Sequence, residues 1–189
     1  MPRVSELDPA SFDPQFKDLF ERFTGGGATF ADQFSVLAHV RPAAEHLFTM
    51  LLELKAREGV SYRYVEMAIV VVSLLNQCTY CVDNHAPRLS VEGISREGAL
   101  NLLDFAEHPE LTPIDKVVVE YAIAVTQAPQ RIRDQLMARL RAHFSEAQVV
   151  ELTLRISLCG FFNRFNQALQ IGEEHDAVPA AELSSPRSI

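Results

Sequence analysis

Cys78-Thr79-Tyr80-Cys81 is followed four residues on by His85 and preceded, twelve residues before Cys78, by Glu66. In a helix over residues 78–90, Cys78, Cys81 and His85 fall at i, i+3 and i+7, within roughly 60° of one face at about 100° per residue. A thiol pair, an imidazole and a carboxylate are the parts needed for redox chemistry at sulfur. The thiolate is the nucleophile, and a free cysteine with a pKa of about 8.5 is mostly protonated at neutral pH. His85, one helical turn beyond Cys81, can reach its thiol directly or through one water, while Glu66 can hold the other ring nitrogen and set the tautomer. The second cysteine lets an oxidised first one close to a disulfide instead of climbing to irreversible sulfinic acid. The residues alone leave open which sulfur reacts: a helix N-terminus favours Cys78, the imidazole favours Cys81.

Two helices must meet to assemble these groups. Tyr62, Val65, Ile69, Val72 and Leu75 recur at helical spacing, which predicts a helix over residues 62–75. Asn76-Gln77 is the expected corner, and an antiparallel hairpin returns Glu66 towards His85. Pro87 bends or ends the second helix only after His85 is placed. The same periodicity predicts helices over 13–23, 29–39, 42–57, 79–90, 96–107, 113–127, 131–143 and 146–172. Pro14 suits a first helical position, Ser61 a cap, and Gly59 a stop; Thr112-Pro113 and Ser145-Glu146 read as helix starts. No window alternates with period two between turn signals, so the expected fold class is all-α. Thr24-Gly25-Gly26-Gly27 lacks the Lys-Ser/Thr of a phosphate loop and follows no strand.

The Glu-x11-Cys-x-x-Cys-x3-His array, from about Arg63 to His85, resembles the active-site signature of the AhpD-like alkylhydroperoxidases, within the carboxymuconolactone decarboxylase superfamily. Phe162-Asn163-Arg164-Phe165-Asn166 resembles a C-terminal helix of that family. The resemblance implies an AhpD-like helical bundle with the redox motif on a helical hairpin. It implies a peroxidase in which Cys81 is the peroxidatic cysteine, Cys78 its disulfide partner and proton donor, and Glu66 with His85 the proton relay. Tyr80 stands where the family prototype has histidine and is a further candidate, as relay donor or as a packing residue. The implied partners are a hydroperoxide substrate and a dithiol reductant, dihydrolipoamide- or thioredoxin-like, with no cofactor. A homo-oligomer, hexamer or trimer, is implied too. The expected division is an N-terminal segment with one helix (1–27), an AhpD-like all-helical domain (28–177) and a tail outside the core (178–189). A short similarity between Val65-Glu66-Met67-Ala68-Ile69 and Val150-Glu151-Leu152-Thr153-Leu154 fits two similar helical halves.

At 189 residues with 48% hydrophobic and 22% charged content, composition is that of an ordinary globular domain. A formal net charge of −8 without a basic cluster argues against nucleic acid or anionic membrane as partners. The N-terminus lacks an apolar signal region, so the expected location is cytoplasmic, where a Cys-x-x-Cys is catalytic or metal-binding rather than a structural staple. Rival readings of the motif are a thiol–disulfide adaptor serving a partner peroxidase, a lactone decarboxylase, and a structural zinc site using Cys78, Cys81, His85 and Glu66. Cys159 reads as a small buried hydrophobe. His39, His46, His108, His143 and His175 read as solvated or core-edge residues. Arg63 reads as a surface partner of Glu66, and Asn163, Arg164 and Asn166 as a satisfied polar face. The helix over 113–127 is apolar nearly all the way round, which predicts excess apolar surface buried between subunits.

Overall fold

Helix α4 (Tyr62–Leu75) buries Val65, Met67, Ala68, Val70, Val71 and Val72, which leaves it no solvent face. A helix apolar around its girth must be covered all round, and α4 packs on α5 (Thr79–Val91), α7 (Pro113–Gln127) and α9 (Glu146–Leu169). The remaining helices are α1 (Pro14–Thr24), α2 (Ala31–Leu37), α3 (Arg41–Arg57), α6 (Arg96–Leu100) and α8 (Asp134–Arg141). The structure, a computed structural model, describes residues 2–27 and 29–172; the expected tail and His175 lie outside them. Among the described residues there is no strand, so the chain is all-α. None of these helices is long and apolar enough to cross a membrane.

Local chemistry explains most helix ends. Asp13 caps α1 by accepting hydrogen bonds from the Gln15 and Phe16 amides, with Pro14 at the first helical position. Thr112 with Asp115, and Ser145 with Gln148, form reciprocal capping boxes that start α7 and α9. The α3 stop lies one residue earlier than expected, since Glu58 takes the left-handed conformation (φ 51°). At Gly59 a Cβ would meet the end of the Glu151 side chain, which would have to shift. Four predicted helices are shorter than their periodicity suggests. The 29–39 segment is helical from Ala31 and ends as a 3-10 turn at Ala38–Val40. The 96–107 segment stops at Leu100, where the Asn101 side chain bonds the Glu97 carbonyl (3.0 Å) and its amide is shared between two carbonyls, tightening the chain into a 3-10 turn. The 131–143 segment begins only at Asp134, because Ile132 and Arg133 are extended. Helix α9 ends at Leu169 rather than residue 172. There Gln170 turns left-handed and the Ile171 amide reaches back to the Asn166 carbonyl (2.9 Å), a Schellman closure with Ile171 buried beneath it.

Two apolar clusters result. One surrounds α4 and draws on α5–α9. The other belongs to α1–α3 and centres on Phe34 and Phe48, both 0% exposed and stacked at 4.5 Å between centroids. Phe48 also stacks on Phe162 of α9, which joins the clusters. Val117, Val118, Val119, Tyr121 and Ala122 of α7 are buried within the chain, against α4, α8 and α9, so these residues contribute none of the excess apolar surface expected between subunits. Exposed apolar residues instead mark the outside of α9, at Val150, Leu154 and Phe161.

Arg63 also departs from expectation. It forks onto Asp115 of α7 through Nε and Nη2 (2.9 and 2.7 Å) and donates to the Glu92 carbonyl beyond α5, instead of pairing with Glu66. Asp115 is fully buried. Burial pushes its carboxyl up, but the Arg63 guanidinium and the Thr112 amide outweigh this and hold it below the ordinary carboxylate range. Its stabilising contribution is therefore present above the unfolded pKa of about 3.9 and is lost as pH falls through the lower folded value. Arg63→Ala strands a buried carboxylate and should cost about 3–5 kcal/mol at pH 7 in urea unfolding. The gap from wild type should narrow below about pH 4, where Asp115 begins to protonate in the unfolded chain.

Candidate active site

The α4–α5 corner is a second Schellman closure. Gln77 is left-handed (φ 55°), its amide bonds the Leu74 carbonyl (3.1 Å), and the Cys78 amide bonds the Ser73 carbonyl (2.9 Å). This tight turn makes Cys78 the N-cap of α5 and puts Cys81 in its first turn. Gln167 of α9 clasps the corner from outside, donating to the Asn76 and Gln77 carbonyls (2.8 and 3.0 Å). Helix α5 runs on through Pro87 to Val91, so the proline does not end it.

The hairpin brings together four of the five expected site residues. Both cysteines are reduced and buried, and Cys78 Sγ donates to Cys81 Sγ across 2.7 Å. His85 Nδ1 lies 2.6 Å from Glu66 Oε2, so the imidazole is held by the carboxylate. Among the described residues no hydrogen bond joins His85 to Cys81 directly, which leaves the reach through one water as the other expected arrangement. Tyr80 turns elsewhere: its hydroxyl donates to Asp32 of α2, and its ring fills the space where a Cβ on Gly172 would sit. Burial and the Asp32 carboxylate push the Tyr80 hydroxyl's pKa up. No three His, Cys, Asp or Glu side chains among the described residues gather as a metal would require.

Electrostatics separate the two thiols. The hydrogen bond from Cys78 is the main influence lowering the Cys81 thiol; burial opposes it, and Asn166, Asn163 and Ser73 add to the lowering. Cys78 is pushed up, by holding its proton toward Cys81 and by burial. The contest between helix terminus and imidazole is thus decided by a third influence, hydrogen bonding to sulfur. Glu66 is only 3% exposed, and burial pushes its carboxyl up. The bond to His85 and the charges of His85 and Arg88 more than offset this and hold it below its ordinary range. Arg88 lies 3.5 Å from Glu66 Oε1 and covers the Phe30 ring. Cys159 is buried as expected, and burial raises its thiol to about 12.

Sequence reasoning missed the groups around the sulfurs. Asn163 and Asn166 are buried, not a satisfied surface face: Asn166 Nδ2 lies 3.5 Å from Cys81 Sγ, and Asn163 Nδ2 donates to Ser73 Oγ (3.3 Å). Arg164, by contrast, only folds back on the Gly160 carbonyl (2.8 Å). Two of these groups were signalled by spacing, since Ser73 follows Glu66 by seven residues and Arg88 follows Cys81 by seven, each pair on one helical face. Cys81, His85 and Glu66 open onto a cavity of about 1100 Å³. Phe23, Phe30, Leu51 and Leu52 form its apolar side, and Ile69, Leu158 and Phe162 the side nearer the sulfurs.

Comparison with known proteins agrees with this architecture. An uncharacterised Escherichia coli protein, YnjA, is 30% identical over 115 residues, covering 61% of this chain and 59% of its own length. The chain thus spans only about three fifths of that relative. An uncharacterised Bacillus subtilis protein, YdfG, is 30% identical over 105 residues, 55% of this chain and 71% of that one. Among solved structures, an uncharacterised peroxidase-related protein with an alkylhydroperoxidase AhpD core, from Ralstonia eutropha, superposes with TM-score 0.77 at 18% identity over 90% of each chain. The debrominase Bmp8, solved with 2,3,4-tribromopyrrole as a cysteine-to-alanine variant, superposes with TM-score 0.73 at 17% identity over 91% of each chain. At these identities the structural matches establish the fold. The sequence model of the Carboxymuconolactone decarboxylase family matches residues 42–107, the stretch that carries Glu66, both cysteines and His85. By that match and these relatives, the chain belongs to the carboxymuconolactone decarboxylase family.

Proposed function

We propose that the protein is a thiol-dependent peroxidase that reduces organic hydroperoxides. The observation that carries this reading is the lowered Cys81 thiol, 2.7 Å from a second thiol and open to the same cavity as a carboxylate-held imidazole. The Cys81 thiolate attacks the terminal oxygen of ROOH; the S–O bond forms, the O–O bond breaks, and the departing alkoxide takes a proton delivered through His85. Cys78 sulfur then attacks the sulfenic acid, forming the disulfide and releasing water. An external dithiol, dihydrolipoamide- or thioredoxin-like, supplies two electrons and restores both thiols. Glu66 keeps the ring's Nδ1 occupied and so leaves Nε2 for the proton transfer. The adaptor reading suits the site less well, since both sulfurs are buried beneath a cavity of small-molecule size. We also propose a homo-oligomer formed through the exposed α9 face of Val150, Leu154 and Phe161.

Cys81→Ser should abolish turnover of cumene hydroperoxide with dihydrolipoamide as reductant. Cys78→Ser should complete one oxidation and accumulate a Cys81 sulfenic acid that dimedone traps. Undiminished turnover in the Cys81 variant refutes the proposal. For proton control, alkylation of Cys81 by iodoacetamide should show a pH midpoint below the free-thiol value of about 8.5. Cys78→Ala, which removes the donor to Cys81, should move that midpoint up, and by more than His85→Ala does. In light scattering at micromolar concentration the protein should be larger than one 21.1 kDa chain, and Phe161→Asp should reduce it to that mass.

A further inference from the structure

Arg155 is the one charged group on the cavity wall whose side chain is both deeply buried and poorly partnered among the described residues. It sits on α9 with its side chain 10% exposed and lines the same cavity as Cys81 and His85. Its nearest carboxylate oxygen, Glu151 Oε1, lies 3.7 Å from Nη2, beyond hydrogen-bond reach. The described residues give its Nε no hydrogen-bond partner, and Glu151 Oε2 is orphaned likewise. The other buried arginine–carboxylate pair shows what a closed arrangement looks like, with Arg63 forked onto Asp115 at 2.9 and 2.7 Å. A largely buried guanidinium whose Nε has no acceptor, and whose one carboxylate partner is held only as a long ion pair, is costly unless something else accepts from it. Burial accordingly draws its pKa below the ordinary arginine value.

The surroundings favour an anion. In a chain of net charge −8, the cavity wall carries Arg22, Lys55, Arg88 and Arg155 against the carboxylates Glu58 and Glu66. Glu66 is already engaged by His85 and Arg88. The rest of the wall is largely apolar, led by Phe23, Phe30, Leu51, Leu52 and Phe162. About 1100 Å³ accommodates a chain of ten or more carbons beside a charged head.

We propose that Arg155 binds the carboxylate of an organic acid with an extended apolar body, so that the substrate of the Cys81 site is a hydroperoxide of a fatty acid or similar amphiphile. The hydroperoxide part rests on the peroxidase reading; the recognition of carboxylate and chain does not. Isothermal titration with dodecanoate and with dodecanol, neither of which is a peroxide, tests the recognition alone. Wild-type protein should bind dodecanoate at least about tenfold more tightly than dodecanol, the smaller effect expected of a charge-assisted hydrogen bond. Arg155→Met should weaken dodecanoate by about 10- to 100-fold and leave dodecanol within a factor of about two. Arg155→Lys should recover part of the loss. Equal affinity of wild-type protein for the two probes, or no binding of dodecanoate, overturns the proposal whatever the peroxidase assay shows.

Discussion

A carboxylate on the innermost helix is the constraint around which the site is arranged. Glu66 lies on α4, the one helix that packs against α5, α7 and α9 together, and it is almost wholly withdrawn from water. A charge in that place is tolerable only if neighbouring elements deliver compensating donors. Helix α5 delivers two, His85 and Arg88, one turn apart on the same face. The pairing fixes the rotation of α5 about its axis, and with it the direction of the cysteines one and two turns earlier. Apolar packing alone would hold α5 against α4 with less control over that rotation, since Val82, Ala86 and Leu89 offer no directional bond.

The opposite side of the sulfurs is organised by α9. Asn163 is bonded through Ser73 and Asn76 to α4 and its corner, Asn166 reaches Cys81 itself, and Gln167 holds the corner's carbonyls. Cys81 therefore lies between two polar systems of different kind. On one side a charged pair can carry a proton; on the other, neutral amides favour negative charge on sulfur without carrying one. Placing the ion pair away from direct contact with the thiol leaves the nucleophile free of a competing strong hydrogen bond.

The hairpin is legible in the sequence because its logic is local: residues 62 to 91 obey one helical period, and the corner is two residues long. The partners of Arg63, Asn163 and Asn166 are not legible, because each contact joins residues 52 to 90 positions apart, and helical periodicity carries no information across that distance. In three of the four shortened helices periodicity overstates length for a related reason. The predicted helices run into the 3-10 turns at Ala38–Val40 and Leu102–Asp104 and into the extended Ile132 and Arg133, although the backbone there has left the α conformation. The same blindness applies to α7, whose girth reads as an unpaired interface until three neighbouring helices are placed around it.

The cavity is walled by two independent apolar clusters, and this divides the molecule's capacity for change. Cys81, Glu66 and His85 lie on α4 and α5, at the edge of the cluster around α4, while Phe23, Phe30, Leu51 and Leu52 belong to α1–α3 and the segment that joins them. The two meet where Phe48 lies on Phe162, and also where Phe30 packs on Tyr80, His85 and Arg88. Substitutions at Phe23, Leu51 or Leu52 can reshape what enters without touching the hydrogen bonds around sulfur, whereas Phe30 packs on the His85 ring and under Arg88 and belongs to both. The family match begins at residue 42, so α1 and α2 lie wholly outside it. In this architecture the shape of the cavity can vary at Phe23, Leu51 and Leu52 while the dithiol hairpin and the groups that hold it stay the same.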